Sequence, residues 1–208
     1  MQPSTQNQNS TTTNPWISIW TKPRATLREN VGKNHTLLIF LIIVGSLAET
    51  MNRASGNSAR DSVTSGTLIL LLIFATIVGS LIYYFIVPSL LAWTGRMVGG
   101  RGNTGRVRYA VAFSFIPLVI QLLVIWVPSL FLYGMENFQN VTLKIDEDIA
   151  LLLGFGVIEI ILIIWSGIIF VKCLGEAHEF SVWKAILSVV IAFFIVVLPL
   201  GLGISLFV

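Results

Sequence analysis

Five apolar runs, four long and one short, dominate this chain, at roughly residues 36–51, 67–93, 109–133, 149–174 and 183–208. A bilayer core about 30 Å thick takes ~20 apolar helical residues to cross, and no charge stands between Asp61 and Arg96. The runs lack period-2 alternation, so a lipid-facing barrel is excluded and helices must satisfy the backbone internally. The predicted fold is all-α: a polytopic bundle of five transmembrane helices. At 55% hydrophobic and 11% charged, against about 25% charged in soluble domains, the composition leaves too little polar chain for a second core.

Lys and Arg in short loops set membrane orientation, and here they are lopsided. Lys22, Arg24, Arg28 and Lys33, then Arg96, Arg101, Arg106 and Arg108, then Lys172 and Lys184 fall on one side. Arg53, Arg60 and Lys144 fall on the other, with Glu49, Asp61, Glu136, Asp146, Glu147 and Asp148. This places the N-terminus in the cytoplasm and the C-terminus outside. The first run has only 13 residues between His35 and Glu49, about 20 Å of helix, so its crossing needs the flanking charges to snorkel and some thinning of the bilayer.

Residues 1–14 form a Gln/Asn/Ser/Thr tail expected to be disordered, with no secretory leader pattern. Between residues 16 and 31, Trp16, Trp20, Leu27 and Val31 recur near helical spacing with Lys22, Arg24 and Arg28 among them. This reads as an interfacial amphipathic segment, divided into two short helices by Pro23, a residue accepted at the first helical position.

Glu159 is the one ionisable residue deep in a run. It lies ten residues in from Ile149, and Gln121 lies twelve from Tyr133, depths of about 15 and 18 Å. A hydrogen bond between them is therefore predicted, either as glue between helices or as part of a proton, ion or solute path. Glu49 and Arg53 stand at i, i+4 and are expected to pair at the outer mouth of the bundle. In the second loop, Gly100, Gly102 and Gly105 match G-x-G-x-x-G by letter, yet a membrane helix precedes them and no strand is available. What remains is flexible backbone carrying guanidinium groups, so Arg24, Arg28, Arg96, Arg101, Arg106 and Arg108 are the candidate face for anionic lipid headgroups or a protein partner. No nucleophile and base pair is recognisable, His35 and His178 are far apart, and neither metal, cofactor nor nucleic acid is implied.

The Pro-Trp block at Asn14, Pro15 and Trp16 with Lys22, Pro23 and Arg24, together with Met51-Asn52-Arg53, Trp93-Thr94-Gly95-Arg96 with Gly99 and Gly100, Ser114 to Pro117, and Phe180-Ser181-Val182-Trp183-Lys184, resembles the Yip1 family, in particular its short prokaryotic members. The resemblance implies a five-helix membrane domain over residues 15–208 in a prokaryotic cytoplasmic membrane. Eukaryotic members associate with Rab GTPases and membrane-shaping partners, and no family catalytic residue exists to carry over. The expectation is a non-enzymatic membrane scaffold with a basic cytoplasmic face; the alternative is a small solute or ion transporter or channel using Glu159.

Overall fold

A computed structural model describes residues 13–55, 64–138 and 149–205. Residues 1–12 of the polar tail, and Arg60, Asp61, Lys144, Asp146, Glu147 and Asp148, used above to orient the chain, lie outside the described residues. Two short helices open the fold, α1 (Pro15–Ser18) and α2 (Pro23–Asn30), each with a proline in its first turn. Five helical spans follow. The first is α3 (His35–Ser55); the second is α4 (Ser65–Leu81), a π turn (Ile82–Ile86) and α5 (Val87–Met97). The third is α6 (Thr104–Ser114), α7 (Ile116–Gln121), a π turn (Leu122–Trp126), α8 (Val127–Tyr133) and a 3-10 turn (Gly134–Phe138). The fourth is α9 (Ile149–His178) and the fifth α10 (Val182–Ser205).

The first span is longer than its apolar run: the helix has 21 residues, about 31 Å at 1.5 Å per residue. It runs past Met51 because Arg53 pairs with Glu49 one turn back, both guanidinium Nε and Nη2 donating to Oε1 at 2.9 and 2.8 Å.

The third span is the axis of the bundle. Its most apolar window is 72% buried, whereas that of the equally apolar second span is 0% buried, so hydropathy alone does not separate the core helix from the lipid-facing one. Helices α3 and α9 pack against α6 and α7, α4 lies outside α3, and α10 packs on α5 and α9. Close approach at the axis rests on Gly45, where a Cβ would meet the Phe115 ring at 2.3 Å.

Prolines account for the breaks. Pro88 and Pro128 are each the second residue of the helix that follows a π turn, and each lacks the N–H that its i−4 carbonyl requires. For Pro88 that carbonyl is Tyr84, and Arg108 supplies a donor through Nε at 2.8 Å while its guanidinium sits 4.1 Å above the Tyr84 ring.

Candidate functional site

Three helices bring polar groups together inside the bundle. Gln121, fully buried at the end of α7, donates through Nε2 to Glu159 Oε1 of α9 at 3.1 Å, the pairing expected from depth arithmetic. Asn52 of α3 joins it: its Oδ1 accepts from Gln121 Nε2 at 3.1 Å and from the buried Trp126 Nε1 at 2.7 Å, and its Nδ2 donates to Gln121 Oε1 at 3.3 Å. The apolar run ends at Met51, and the extension of α3 to Ser55 carries Asn52 inward. Trp126 had no sequence signal beyond its place in the third run.

The network borders a cavity of about 410 Å³. Glu49, Asn52 and Arg53 line it from the first span, Tyr83 from the second, Phe115 and Leu118 from the third, and Glu159, Ile163 and Ser166 from the fourth. Ser166 hydroxyl donates to the Ser114 carbonyl at 2.7 Å, beside the break between α6 and α7. Of the charged groups here, Arg53 is tied to Glu49. Among the described residues no cation stands within 4.0 Å of the Glu159 carboxylate. An intramembrane acid held by a neutral amide is equipped to receive a cationic or proton-donating group.

The six candidate arginines gather at the other end of the bundle, and the structure ties four of them to the protein itself. Arg24 donates to the Phe180 carbonyl at 2.9 Å and lies over Gly175. Arg28 pairs with the buried Glu176 at 2.7 Å, a hydrogen bond and charge that raise its already high pKa. Arg106 pairs with Glu179 at 2.6 Å and reaches the Glu176 carbonyl at 3.2 Å; Arg108 holds Tyr84 as described. Arg96 and Arg101 keep exposed side chains.

The glycine loop proves to be a socket. Helix α5 ends in a Schellman turn with Gly99 at φ +88°, Gly100 N–H bonding the Gly95 carbonyl and Gly99 N–H the Arg96 carbonyl. His178, 1% exposed, enters against it, stacked on Phe180 at 5.0 Å, with Nδ1 accepting from Gly102 N–H at 3.2 Å. A Cβ at Gly95, Gly100 or Gly102 would stand 2.3, 2.6 or 2.7 Å from that ring. The letters that mimic a nucleotide loop therefore make room for an imidazole 76 residues away.

Helix α9 closes with the same turn, Phe180 N–H to the Gly175 carbonyl and Glu179 N–H to the Glu176 carbonyl, but with Glu179 at φ +61° where glycine is usual. Its carboxylate is retained for Arg106, whose hydrogen bond first and charge second hold that carboxyl below its ordinary value of 4.5. The folded chain thus binds this proton less readily than the unfolded one. The pair stabilises fully above the ordinary value, and that contribution is lost as pH falls through the depressed one. Melting curves in nanodiscs between about pH 3 and pH 6 should show a steeper acid-side loss for the wild type than for Glu179→Gln; coincident profiles would remove this pair from the stability of the fold.

A family model described as Yip1 domain matches residues 17–203, nearly the whole chain. No curated protein matches, and no solved structure matches.

Proposed function

Because this chain belongs to the Yip1 domain family, whose model spans all five helices, we propose that it is a non-enzymatic integral membrane protein. Its working site is the cavity at Glu159, which binds a cationic group as the first step of solute transport. The observation that carries this reading is the Glu159 carboxylate, held by Gln121 on a cavity wall, with no ion pair to it among the described residues and with Arg53, which lines the same cavity, tied to Glu49. The lopsided arginines support an orientation with the C-terminus of α9 and the N-terminal helices in the cytoplasm. Glu49 and Arg53 then stand at the outer mouth.

Uptake of methylammonium into proteoliposomes of phosphatidylcholine and phosphatidylglycerol tests the reading. Wild-type protein should accelerate entry over empty vesicles, and folded Glu159→Gln should lose about tenfold, the scale of one charge-assisted hydrogen bond. Equal uptake by both proteins, or none by either, would overturn it.

A second reading, a scaffold whose basic face recruits anionic lipid or an acidic protein partner, is favoured by Arg96 and Arg101, the two candidate arginines with exposed side chains and no bond to the bundle through them. The pair Arg96→Gln/Arg101→Gln should abolish such recruitment while leaving Glu159 chemistry intact.

A further inference from the structure

The polar cavity does not stand alone. A second cavity, about 530 Å³, opens between α3 and the second span. It shares Glu49, Arg53 and Tyr83 with the first. Beyond those three its walls are mostly apolar, with Phe74, Ala75, Val78 and Ile82 along the second span. Phe74, Ala75 and Val78 are exposed residues of a helix whose most apolar window is otherwise unburied, so the groove faces the hydrocarbon. A site of this shape offers an anion at Glu159, a cation at Arg53, and a hydrophobic channel that leaves from the junction between them.

We propose that the two cavities form one lipid site, whose occupant is an aminophospholipid. Its primary ammonium donates to Glu159, its phosphate meets the Arg53 guanidinium, and one acyl chain lies in the groove between α3 and α4. Charge complementarity selects this headgroup. An anionic lipid lacking an amine would set its uncompensated charge near Glu49 and Glu159, and a quaternary amine has no N–H to give the carboxylate. The shared wall at Arg53 and Tyr83 selects an amphiphile over a small cation, since it joins a polar space to an apolar one. This inference rests on the reading of the Glu159 cavity as a cation site and names the molecule that carries the cation.

The test is native mass spectrometry of the full chain, released from micelles after incubation with equimolar dioleoyl phosphatidylethanolamine, phosphatidylcholine and phosphatidylglycerol. Phosphatidylethanolamine should be retained about tenfold over phosphatidylglycerol, and Glu159→Gln should cancel that preference. Ala75→Trp, a lipid-facing change that fills the groove without touching the polar network, should reduce retention of phosphatidylethanolamine while leaving methylammonium uptake unchanged. If Glu159→Gln does not fold, Arg53→Gln reads the phosphate half of the same site and should lower retention of all three lipids, since each carries the phosphate; unchanged retention overturns the site. Equal retention of the three lipids, or retention unaffected by Ala75→Trp, overturns the lipid site; with Glu159-dependent methylammonium uptake preserved, the cation reading survives it. Insensitivity to Glu159→Gln in both assays overturns the two together.

Discussion

Gly95→Ala is expected to destabilise the protein by about 2 kcal/mol, read as a shift in unfolding in nanodiscs. The added methyl would lie 2.3 Å from His178 Cε1, and the ring is held in place: Phe180 is stacked on one side at 5.0 Å, and Gly102 N–H bonds Nδ1 at 3.2 Å. Overpacking a site of this kind costs about 1–3 kcal/mol. The gain in helix propensity on replacing glycine, at most about 1 kcal/mol, offsets only part of it. The decisive arm is a double-mutant cycle. With His178→Ala in place the methyl enters vacated space, so Gly95→Ala should cost little in that background and the two changes should fall well short of additive. Strict additivity would mean that Gly95 serves the turn of α5 and not the imidazole.

The second large effect lies in the membrane interior, where stability and function should separate. Asn52→Leu removes the acceptor of the buried Trp126 indole and both bonds to Gln121. Hydrogen bonds between membrane helices average about 0.6 kcal/mol and reach about 1.7, so losing this group of bonds should cost about 2 kcal/mol. Glu159→Gln keeps an oxygen for Gln121 Nε2 and should unfold close to the wild type, while the negative charge that the cavity presents is gone. Unfolding curves and methylammonium uptake on the same preparations check both statements. An Asn52→Leu protein as stable as the wild type would show that the network is not structural; a Glu159→Gln protein as active would show that the charge is not used.

The sequence and the structure agree most closely where the argument was about length. Rise per residue put Gln121 and Glu159 at matching depths, and they bond. The two short helices either side of Pro23 followed from its fixed backbone angle. Asn52 carried no hydropathy signal because an apolar run stops where hydropathy stops, whereas a helix continues while its polar residues can pair, as Glu49 and Arg53 do. The roles of His178 and the glycines were illegible for another reason. Each glycine is permissive on its own, and the ring that demands it arrives from a distant helix, so no local spacing records the contact. The arginines were counted correctly as charge and incompletely as chemistry: a tally of guanidinium groups does not say which of them close a helix end.

That last point bears on how the chain assembles. Arg28 waits for Glu176, which lies 148 residues further on, and Arg24 for the Phe180 carbonyl, 156 residues further on. In a chain made from its N-terminus, neither partner exists while the first spans are entering the bilayer, so these guanidinium groups are free at the moment when basic residues decide which way a helix inserts. They are drawn into the fold only after the fourth span is in place. In the proposed orientation, the same arginines would serve first as an address for the nascent chain and then as the clasp that binds its beginning to its fourth helix.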